Sequence, residues 1–390
     1  MTANRVRFLV ASLVVTACLG AASWLAAQSR EKAPEPDSLY KHLSVFSEVL
    51  GLVRQAYVEE TDMESLMAGA YEGAADALGA FAVYVPAEKV AEFRRVRSGP
   101  PPQTGLFLVR QQGWIYVAGV AEGSAADRGG FERGDLVAKV DGEPTRELQI
   151  WQIEAHLASH RDGPVKVVVV RKGENEELEL PAPNGSLPAA TSRREENVPV
   201  LRIARFDEGT EATVARELKQ LAGSRELLVD LRGTAGGDPE VAYRVADLFA
   251  TGDLGALKTR DEVRKRFAAT GEPEWRGEVV VLVDRGTLGA AELLAAVLDD
   301  AAEATVVGEP TFGHAGHRSQ VELSSGALLE LTDAFYAGPD GEMIDDSLEP
   351  DVLVDERSRT LREKDLTLDE LILRRGLGAL RGEVEEKKAA

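Results

Sequence analysis

The sequence contains few of the residues that build metal sites and disulfide frameworks. Its 390 residues include a single cysteine, Cys18, and five histidines, and the histidines never form a ligand pattern such as HExxH. One cysteine excludes an internal disulfide framework and a cysteine-based metal cluster, and the scattered histidines argue against a metalloenzyme. We therefore expect a protein that works without a metal or another cofactor.

Basic charge is also scarce. Aspartate and glutamate outnumber lysine and arginine by 66 to 45, which leaves a formal net charge of −21. So acidic a surface repels phosphate backbones, and the sequence has no Lys/Arg-rich stripe, so we expect no nucleic-acid binding. The apolar share of 44% and the charged share of 28% are typical of a globular body, and the length predicts two or three domains.

A long apolar run occurs only near the N-terminus. Residues 8–27 are apolar apart from three hydroxyl side chains and follow Arg5 and Arg7. A helix of this length crosses a hydrocarbon layer of ~30 Å, and the preceding cations favour a cytoplasmic N-terminus. We expect an exported, periplasmic or extracytoplasmic body that is anchored to the inner membrane by residues 8–27. Cleavage as a signal near Ala27–Ser29, with secretion, and a lipoprotein signal that uses Cys18 remain alternatives.

Changes of hydrophobic period divide the body into segments. A spacing of three and four residues predicts helices, a spacing of two predicts strands, and a stretch rich in Pro, Gly and charge reads as a linker. The oligomeric state is left open. The predicted segments are a signal or anchor with a proline-containing spacer (1–37), a helical region (38–98), a β-rich module (99–182), an α/β core (183–355) and a charged C-terminal helix (356–390).

Within the α/β core, apolar runs of strand length alternate with helical patterns. Leu227–Leu231 and Val279–Val283 read as buried strands, and Pro239–Phe249 and Ala290–Ala302 read as helices. This alternation predicts a multidomain α/β protein in which a layered core follows the β-rich module.

Two runs in the β-rich module have glycines at characteristic places. TGLFL at 104–108 matches the loop that opens the peptide-binding strand of PDZ domains. EGSAA at 122–126 and GDLVAKVDG at 134–142 match the family's G-S-P-A … G-D-x-I-x-x-V-x-G pattern. Residues 104–171 therefore resemble a PDZ domain, which implies that the module binds protein or peptide C-termini.

The physical basis of such binding is a glycine that lets successive N–H groups point at one carboxylate, while the following strand pairs with an extended peptide. A helix over 148–157 would form the opposite wall of the groove. The expected peptide-binding residues are Gly105, Leu106, Phe107, Leu108, Ile150, Ile153 and Leu157.

Motifs of the core extend the resemblance over nearly the whole exported chain. VDLRGTAGG at 229–237 follows the pattern D-L-R-x-N-x-G-G, and VGEPTFG at 307–313 matches V-G-E-x-T-F-G. Leu331-Thr332, Pro339–Gly341 and Leu348–Asp351 match the closing strands. The chain resembles the carboxyl-terminal processing (tail-specific) serine peptidases, whose order of helical segment, PDZ domain and α/β core it shares.

The resemblance implies a catalytic serine within G-[ST]-A-S-A-S-E and a lysine directly after T-F-G, with a glutamine that orients the lysine. This chain reads GTLGAAE at 286–292 and TFGH at 311–314. Because Glu292 and Phe312 keep the register, the serine's position holds Gly289 and the lysine's position holds His314. Arg318 stands in the position of the glutamine.

Glycine has no side-chain oxygen, so an acyl-enzyme cannot form at position 289. The backbone amides of Gly236, Gly237 and Ala290 would still form a notch that resembles an oxyanion hole. The sequence therefore predicts a pseudopeptidase that binds C-termini through its PDZ domain.

Two alternatives remain open, and with them the question of whether the chain is an enzyme. Thr287, two residues upstream of Gly289, is the candidate for a displaced nucleophile with His314 as its base. The other alternative is that the former catalytic cleft carries a small apolar molecule.

Overall fold

The residues described in the computed structural model are 37–98, 104–159, 163–183, 188–355, 357, 360 and 363–383. The apolar run 8–27, with the signal or anchor expected there, lies outside these residues. Within the described ranges, no helix is long and apolar enough to cross a membrane. The chain divides into two units, Met1–Ala68 and Gly69–Ala390.

In the first unit, helix α1 (Asp37–Ala56) precedes the start of helix α2 (Met63–Asp76). The Asp62 carboxylate accepts hydrogen bonds from the Ser65 hydroxyl at 2.6 Å and from the Glu64 N–H at 3.1 Å, so it caps α2. Large apolar side chains along α1 are exposed, namely Tyr40, Leu43, Val45, Phe46, Val49 and Leu52.

The β-rich module is an antiparallel sheet that is packed against one helix. Its strands lie in the order β2-β3-β4-β6-β7, so β2 forms one edge, and the short β5 pairs with β4. Apolar residues on the inner face of the sheet pack against helix α5. The elements are β2 (Leu106–Gln111), β3 (Trp114–Val120), α4 (Ala125–Arg128), β4 (Leu136–Val140), β5 (Glu143–Pro144), α5 (Ile150–Ser159), β6 (Val165–Arg171) and β7 (Glu174–Leu180).

The core contains a mostly parallel sheet in the order β17-β14-β13-β10-β9-β8, with only β8 antiparallel to its neighbour. Side chains alternate across it, so Leu227 and Val229 face one apolar cluster and Leu228 faces the other. The strands are β8 (Ala190–Glu195), β9 (Val198–Ile203), β10 (Glu226–Asp230), β13 (Glu278–Val283), β14 (Thr305–Gly308) and β17 (Val352–Leu353).

Helices cover both faces of this sheet. Three helices, α6 (Thr210–Gln220), α7 (Pro239–Ala246) and α8 (Ala290–Ala302), pack on the face of Val229. Helix α9 (Leu368–Leu380) packs on the other face. The multidomain α/β architecture expected from the sequence is thereby confirmed.

A second sheet of the core is antiparallel and mixes distant parts of the chain. Its strands run in the order β1-β16-β11-β12, and β15 also pairs with β16. Trp151 of α5 packs edge-on against Phe93 of the neighbouring helix α3, with ring centroids 5.5 Å apart, so the β-rich module docks here. The elements are β1 (Val83–Val85), α3 (Val90–Ser98), β11 (Asp253–Lys258), β12 (Val263–Ala268), β15 (Gly316–Glu322) and β16 (Leu328–Ala337).

Candidate active site

The turn between β13 and α8 ends at Gly289, the residue that caps α8. Its backbone has φ 69° and ψ −112°, a conformation that glycine adopts freely and that strains other residues. A Cβ built on Gly289 would meet only the carbonyl oxygen of His314, at 3.7 Å. The position therefore has room for a side chain, but the turn presents none.

The buried carboxylate of Glu292 brings Gly289 and His314 together. Its Oε2 accepts hydrogen bonds from the N–H of Gly289 at 2.8 Å and from the N–H of His314 at 3.0 Å, and Oε1 accepts from the N–H of Gly313. Burial raises the pKa of Glu292, while these donors and the Thr311 hydroxyl oppose the rise. One side chain thus holds the helix start and the 312–314 loop in place.

His314 lies among aromatic rings. Its ring stacks on Phe81 with centroids 4.2 Å apart and meets Phe335 edge-on at 5.1 Å. Burial and, to a smaller extent, the Arg318 guanidinium together lower the pKa of His314 to about 4. The imidazole is therefore neutral at physiological pH.

The hydroxyl of Thr332, which the sequence analysis did not select as a site residue, lies next to this imidazole. Nε2 of His314 lies 3.1 Å from Oγ1 of Thr332 on β16. Thr332 belongs to the Leu331-Thr332 motif, which indicated only the fold. The motif marks a closing strand of the core, and that strand's place beside the 312–314 loop was the one signal that pointed to Thr332 as a site residue.

Thr287, the predicted displaced nucleophile, is completely buried. Its Oγ1 lies 3.1 Å from the carbonyl oxygen of Leu231 and 3.1 Å from a carboxylate oxygen of Asp284, and it accepts a hydrogen bond from the Asp284 N–H. In the described structure no hydrogen bond joins Thr287 to His314. The hydroxyl is therefore engaged inside the turn.

The backbone donors expected in the notch lie in two neighbouring turns. Leu288 N–H donates to the carbonyl of Thr234 at 3.0 Å, which aligns the diglycine turn with the start of α8. Gly236 follows Ala235 in an isolated parallel bridge with Leu288, so its N–H faces the Leu288 carbonyl. The N–H groups of Gly237 and Ala290 have no hydrogen-bond acceptor among the described residues, so these two amides, unlike that of Gly289, remain uncommitted.

A cavity of about 810 Å³ opens beside His314. It lies between the 78–82 turn, the end of β2, the 312–314 loop and β16. No group of three or more His, Cys, Asp or Glu residues in the described chain is arranged to hold a metal ion. The aromatic side chains that line the cavity are those of Phe81, Tyr116, Phe312, His314 and Phe335.

The predicted carboxylate loop begins at Gly105, which has φ 73°. A Cβ there would lie 2.1 Å from Cβ of Ser124, so only glycine fits. Of the N–H groups expected to bind a carboxylate, that of Leu106 donates to the Thr104 hydroxyl at 3.2 Å. A bound carboxylate therefore competes with this hydroxyl.

The side chains predicted for the peptide groove differ in burial. Leu106, Leu108 and Ile150 are partly buried against the core of the module, and Phe107 is also partly exposed. The other two, Ile153 and Leu157, are buried, so they support the groove from beneath.

The β-rich module also touches the two turns that surround the site. Gly119 of β3 lies so close that a Cβ on it would be 3.4 Å from the carbonyl oxygens of Gly233 and Gly286. Nearby, the Arg133 guanidinium donates to Asp284 at 3.0 Å and to Glu309 at 2.7 Å. The module is thus held against the turns by backbone packing and by a pair of ionic hydrogen bonds.

Comparison with known proteins identifies the two domains. Residues 197–354 match the model of peptidase family S41, and residues 116–171 match that of a PDZ domain. The chain therefore carries an S41 peptidase domain behind a PDZ domain, and the family resemblance drawn from its motifs is confirmed.

Named relatives align with most of this chain. The chain is 26% identical over 403 residues to the carboxy-terminal-processing protease of Bartonella bacilliformis, covering 99% of this chain and 90% of that protein. It is 26% identical over 300 residues to the carboxy-terminal processing protease CtpA of Bacillus subtilis, covering 75% of this chain but only 64% of that relative. The structure of the photosystem II D1 C-terminal processing protease superposes with a TM-score of 0.65 at 25% identity, over 80% of this chain and 86% of that one.

Proposed function

We propose that this chain binds protein C-termini through its PDZ domain and does not cleave them. The observation that carries the proposal is the absence of a side-chain hydroxyl at Gly289, where the start of α8 leaves room for one. A serine-type mechanism needs a nucleophile at this position, and a backbone turn cannot replace it.

The two hydroxyls near the site are poor substitutes. Thr287 is buried and engaged with Leu231 and Asp284. Thr332 does contact His314, but an imidazole whose pKa is about 4 is a weak base for a hydroxyl near neutral pH. The uncommitted amides of Gly237 and Ala290 would bind a carbonyl oxygen without activating an attacking group.

Capture of a C-terminus is supported by the edge strand β2 and the loop that precedes it. The inner neighbour of β2 is β3, so its outer edge is left for an extended ligand.

We further propose export of the body, with residues 8–27 as anchor or signal; a fusion of residues 1–37 to a reporter that is active only outside the cytoplasm tests this separately.

The cavity beside His314 favours one other function, the carriage of a small apolar molecule. A volume of about 810 Å³ lies in the range of ligand pockets. Recovery of a bound apolar molecule from the purified protein, at one molecule per chain, would favour this second candidate over peptide capture.

Two assays test the main proposal. An unfolded substrate with an apolar free C-terminus should stay intact with the full chain and be cut by an active relative. Cleavage that disappears in Thr287→Ala or Thr332→Ala would overturn the inactivity. Peptides with a free carboxylate should bind more tightly than amidated ones, and Gly105→Ala should remove that difference; equal affinities would refute C-terminus capture.

A further inference from the structure

Two edge strands of the structure carry opposite charge. Strand β7 ends the sheet of the β-rich module, and strand β12 ends the antiparallel sheet of the core. The sequence of β7 is ENEELEL, with four glutamates, and that of β12 is VRKRFA, with three consecutive cations. The basic edge occurs in a chain whose net charge is −21. The two edges are therefore complementary in charge.

Both edges are open to solvent. Every residue of β12 except Phe267 is exposed, and the first half of β7 is mostly exposed. Among the described residues no further strand pairs with the outer edge of either strand, so backbone N–H and C=O groups are left there for another strand. The end of β7 is covered, because a Cβ on Gly129 would lie 2.7 Å from the carbonyl oxygen of Glu179. The open part of this edge is thus 174–178.

Each strand has one face turned to apolar residues and one turned to solvent. In β7, Leu178 packs against the core of the module, so Glu177 points to the solvent side. In β12, Phe267 stacks on Tyr243 of α7 with ring centroids 4.0 Å apart, so Arg264 points away from that helix. Glu177 and Arg264 therefore lie on the same side when the two edges form one sheet.

One antiparallel register matches the two edges residue by residue. In this register two glutamates face two cations and two apolar side chains face each other: Glu177 with Arg264, Glu176 with Lys265, and Leu178 with Val263. Directly opposed side chains of opposite charge stabilise a sheet, and like charges in these places destabilise it. Pairing of β7 with β7, or of β12 with β12, would bring like charges together. The charges therefore select the mixed contact.

The intramolecular ion pairs of these cations leave them accessible. Arg264 pairs with Asp333 at 2.7 Å and Lys265 pairs with Glu240 at 2.7 Å, while 37% and 49% of the two basic side chains stay exposed. A guanidinium and an ammonium each have donors to spare for a second carboxylate. Because ion pairs with this exposure contribute little to stability, a change of partner costs little.

We propose that the β7 edge of one chain pairs with the β12 edge of a second copy, so that the protein self-associates head to tail. Such a contact uses two different surfaces, and further copies add until a ring closes. Strand β2 lies at the opposite edge of the module's sheet from β7. The assembly therefore leaves the peptide edge open and brings several PDZ domains to one partner.

Mass measurements on the full chain test this self-association. Multi-angle light scattering over a range of concentrations should show a mass that rises with concentration and falls with added salt. Two charge-reversed variants, Glu176→Lys/Glu177→Lys in β7 and Arg264→Glu/Lys265→Glu in β12, should each weaken the association about tenfold or more. Because every variant keeps residues 1–37, association through that segment is the same in all of them.

A mixture of the two reversed variants is the sharper test. One variant presents two basic edges and the other presents two acidic edges, so each supplies the charge that the other lacks. Neither should associate alone through these edges, and an equal mixture should recover the mass of the unaltered chain. The matched control is Glu59→Lys/Glu60→Lys, which changes the net charge as the β7 variant does at two exposed residues outside both edges. It should associate like the unaltered chain.

Cross-linking locates the contact without reversing a charge. Asn175 and Ala268 are exposed, and in the proposed register they are diagonal neighbours about 7–8 Å apart. One full chain with Asn175→Cys and a differently tagged one with Ala268→Cys, both also with Cys18→Ser, should be joined by a short bis-maleimide when they are mixed. Either chain alone should give little product on a denaturing gel.

Every outcome decides for or against the contact. A single mass at all concentrations would overturn the proposal and leave the β12 edge to an acidic partner other than this chain. Association that both reversals leave unchanged would overturn it as well, because the contact would then lie elsewhere. Equal cross-linking in the mixture and in the separate chains would indicate random collision. If a reversed variant does not fold, the cross-link decides, because it keeps both charged edges intact.

Discussion

The N–H of Gly289 donates a hydrogen bond of 2.8 Å to the buried carboxylate of Glu292. Because the same carboxylate accepts hydrogen bonds from the N–H groups of Gly313 and His314, Glu292 holds the turn before α8 in shape. The turn therefore keeps its shape without a side chain at position 289, which the motif resemblance assigns to the nucleophile.

Glu292→Gln should therefore destabilise the fold strongly. A glutamine has one acceptor oxygen, so at least one buried N–H loses its partner and the new NH₂ group faces donors. We expect a loss of about 2–4 kcal/mol in the free energy of unfolding, measured by urea denaturation. Glu370→Gln is the matched control, because Glu370 occupies the same capping position in α9 but is exposed; it should destabilise the fold clearly less than Glu292→Gln does. Equal losses in the two variants would contradict this account.

Gly289→Ser should fit sterically but strain the backbone, since φ is 69° and the nearest atom to a Cβ is 3.7 Å away. We expect a loss of about 1–3 kcal/mol and no hydrolysis of an unfolded substrate, because the base at position 314 is weak. Gly209→Ser, at the N-cap of α6 with φ 96° and open space, controls for strain at a helix start. The triple change with His314→Lys and Arg318→Gln should restore measurable hydrolysis; an inert triple variant would contradict the register assigned to position 289.

The pH dependence of stability should reveal the buried imidazole of His314. Its pKa is about 4 in the folded chain and near 6.5 in the unfolded chain, so the unfolded state binds more protons between these values. The His314 contribution is therefore fully present above pH 6.5 and is lost as the pH falls to 4, by at most about 3 kcal/mol. His314→Phe should flatten the unfolding free energy over this window, whereas His42→Gln, at an exposed residue of α1, should not. A His314 resonance that titrates near pH 6.5 would refute the prediction.

Local pattern predicted the elements that surround the site well. The helix expected over Ala290–Ala302 has those bounds, and the strand expected over Val279–Val283 is observed as Glu278–Val283. These segments are buried on several sides, so their sequences are largely apolar and their ends are marked by Gly, Asp and Glu. The helix expected over Pro239–Phe249 ends earlier, at Ala246, because a run of apolar residues does not show where helical hydrogen bonding stops.

Contacts between distant segments could not be predicted in the same way. Strand β1 lies within the region expected to be helical, and it forms because Val83–Val85 pairs with β16. Three residues are too few to show a period of two. Thr332 meets His314 for a similar reason, since the pairing of β15 with β16, and not the local sequence, brings them together.

The pair of Arg133 with Asp284, which are 151 residues apart in the sequence, should hold the PDZ domain against the turns of the site. Arg133→Gln leaves the carboxylates of Asp284 and Glu309, each with only 8% of the side chain exposed, without their shared cation. We expect a loss of about 2–3 kcal/mol, less than for a fully buried pair because Arg133 itself is one-third exposed.

Asp284 also accepts hydrogen bonds from the N–H groups of Gly233 and Gly286, so exchange of these two amides with deuterium should accelerate in Arg133→Gln. The control is Arg94→Gln, which breaks an exposed pair with Glu322 and should cost under about 0.5 kcal/mol. Unchanged exchange at both glycines, together with a loss no greater than the control's, would mean that the backbone packing of β3 alone positions the domain.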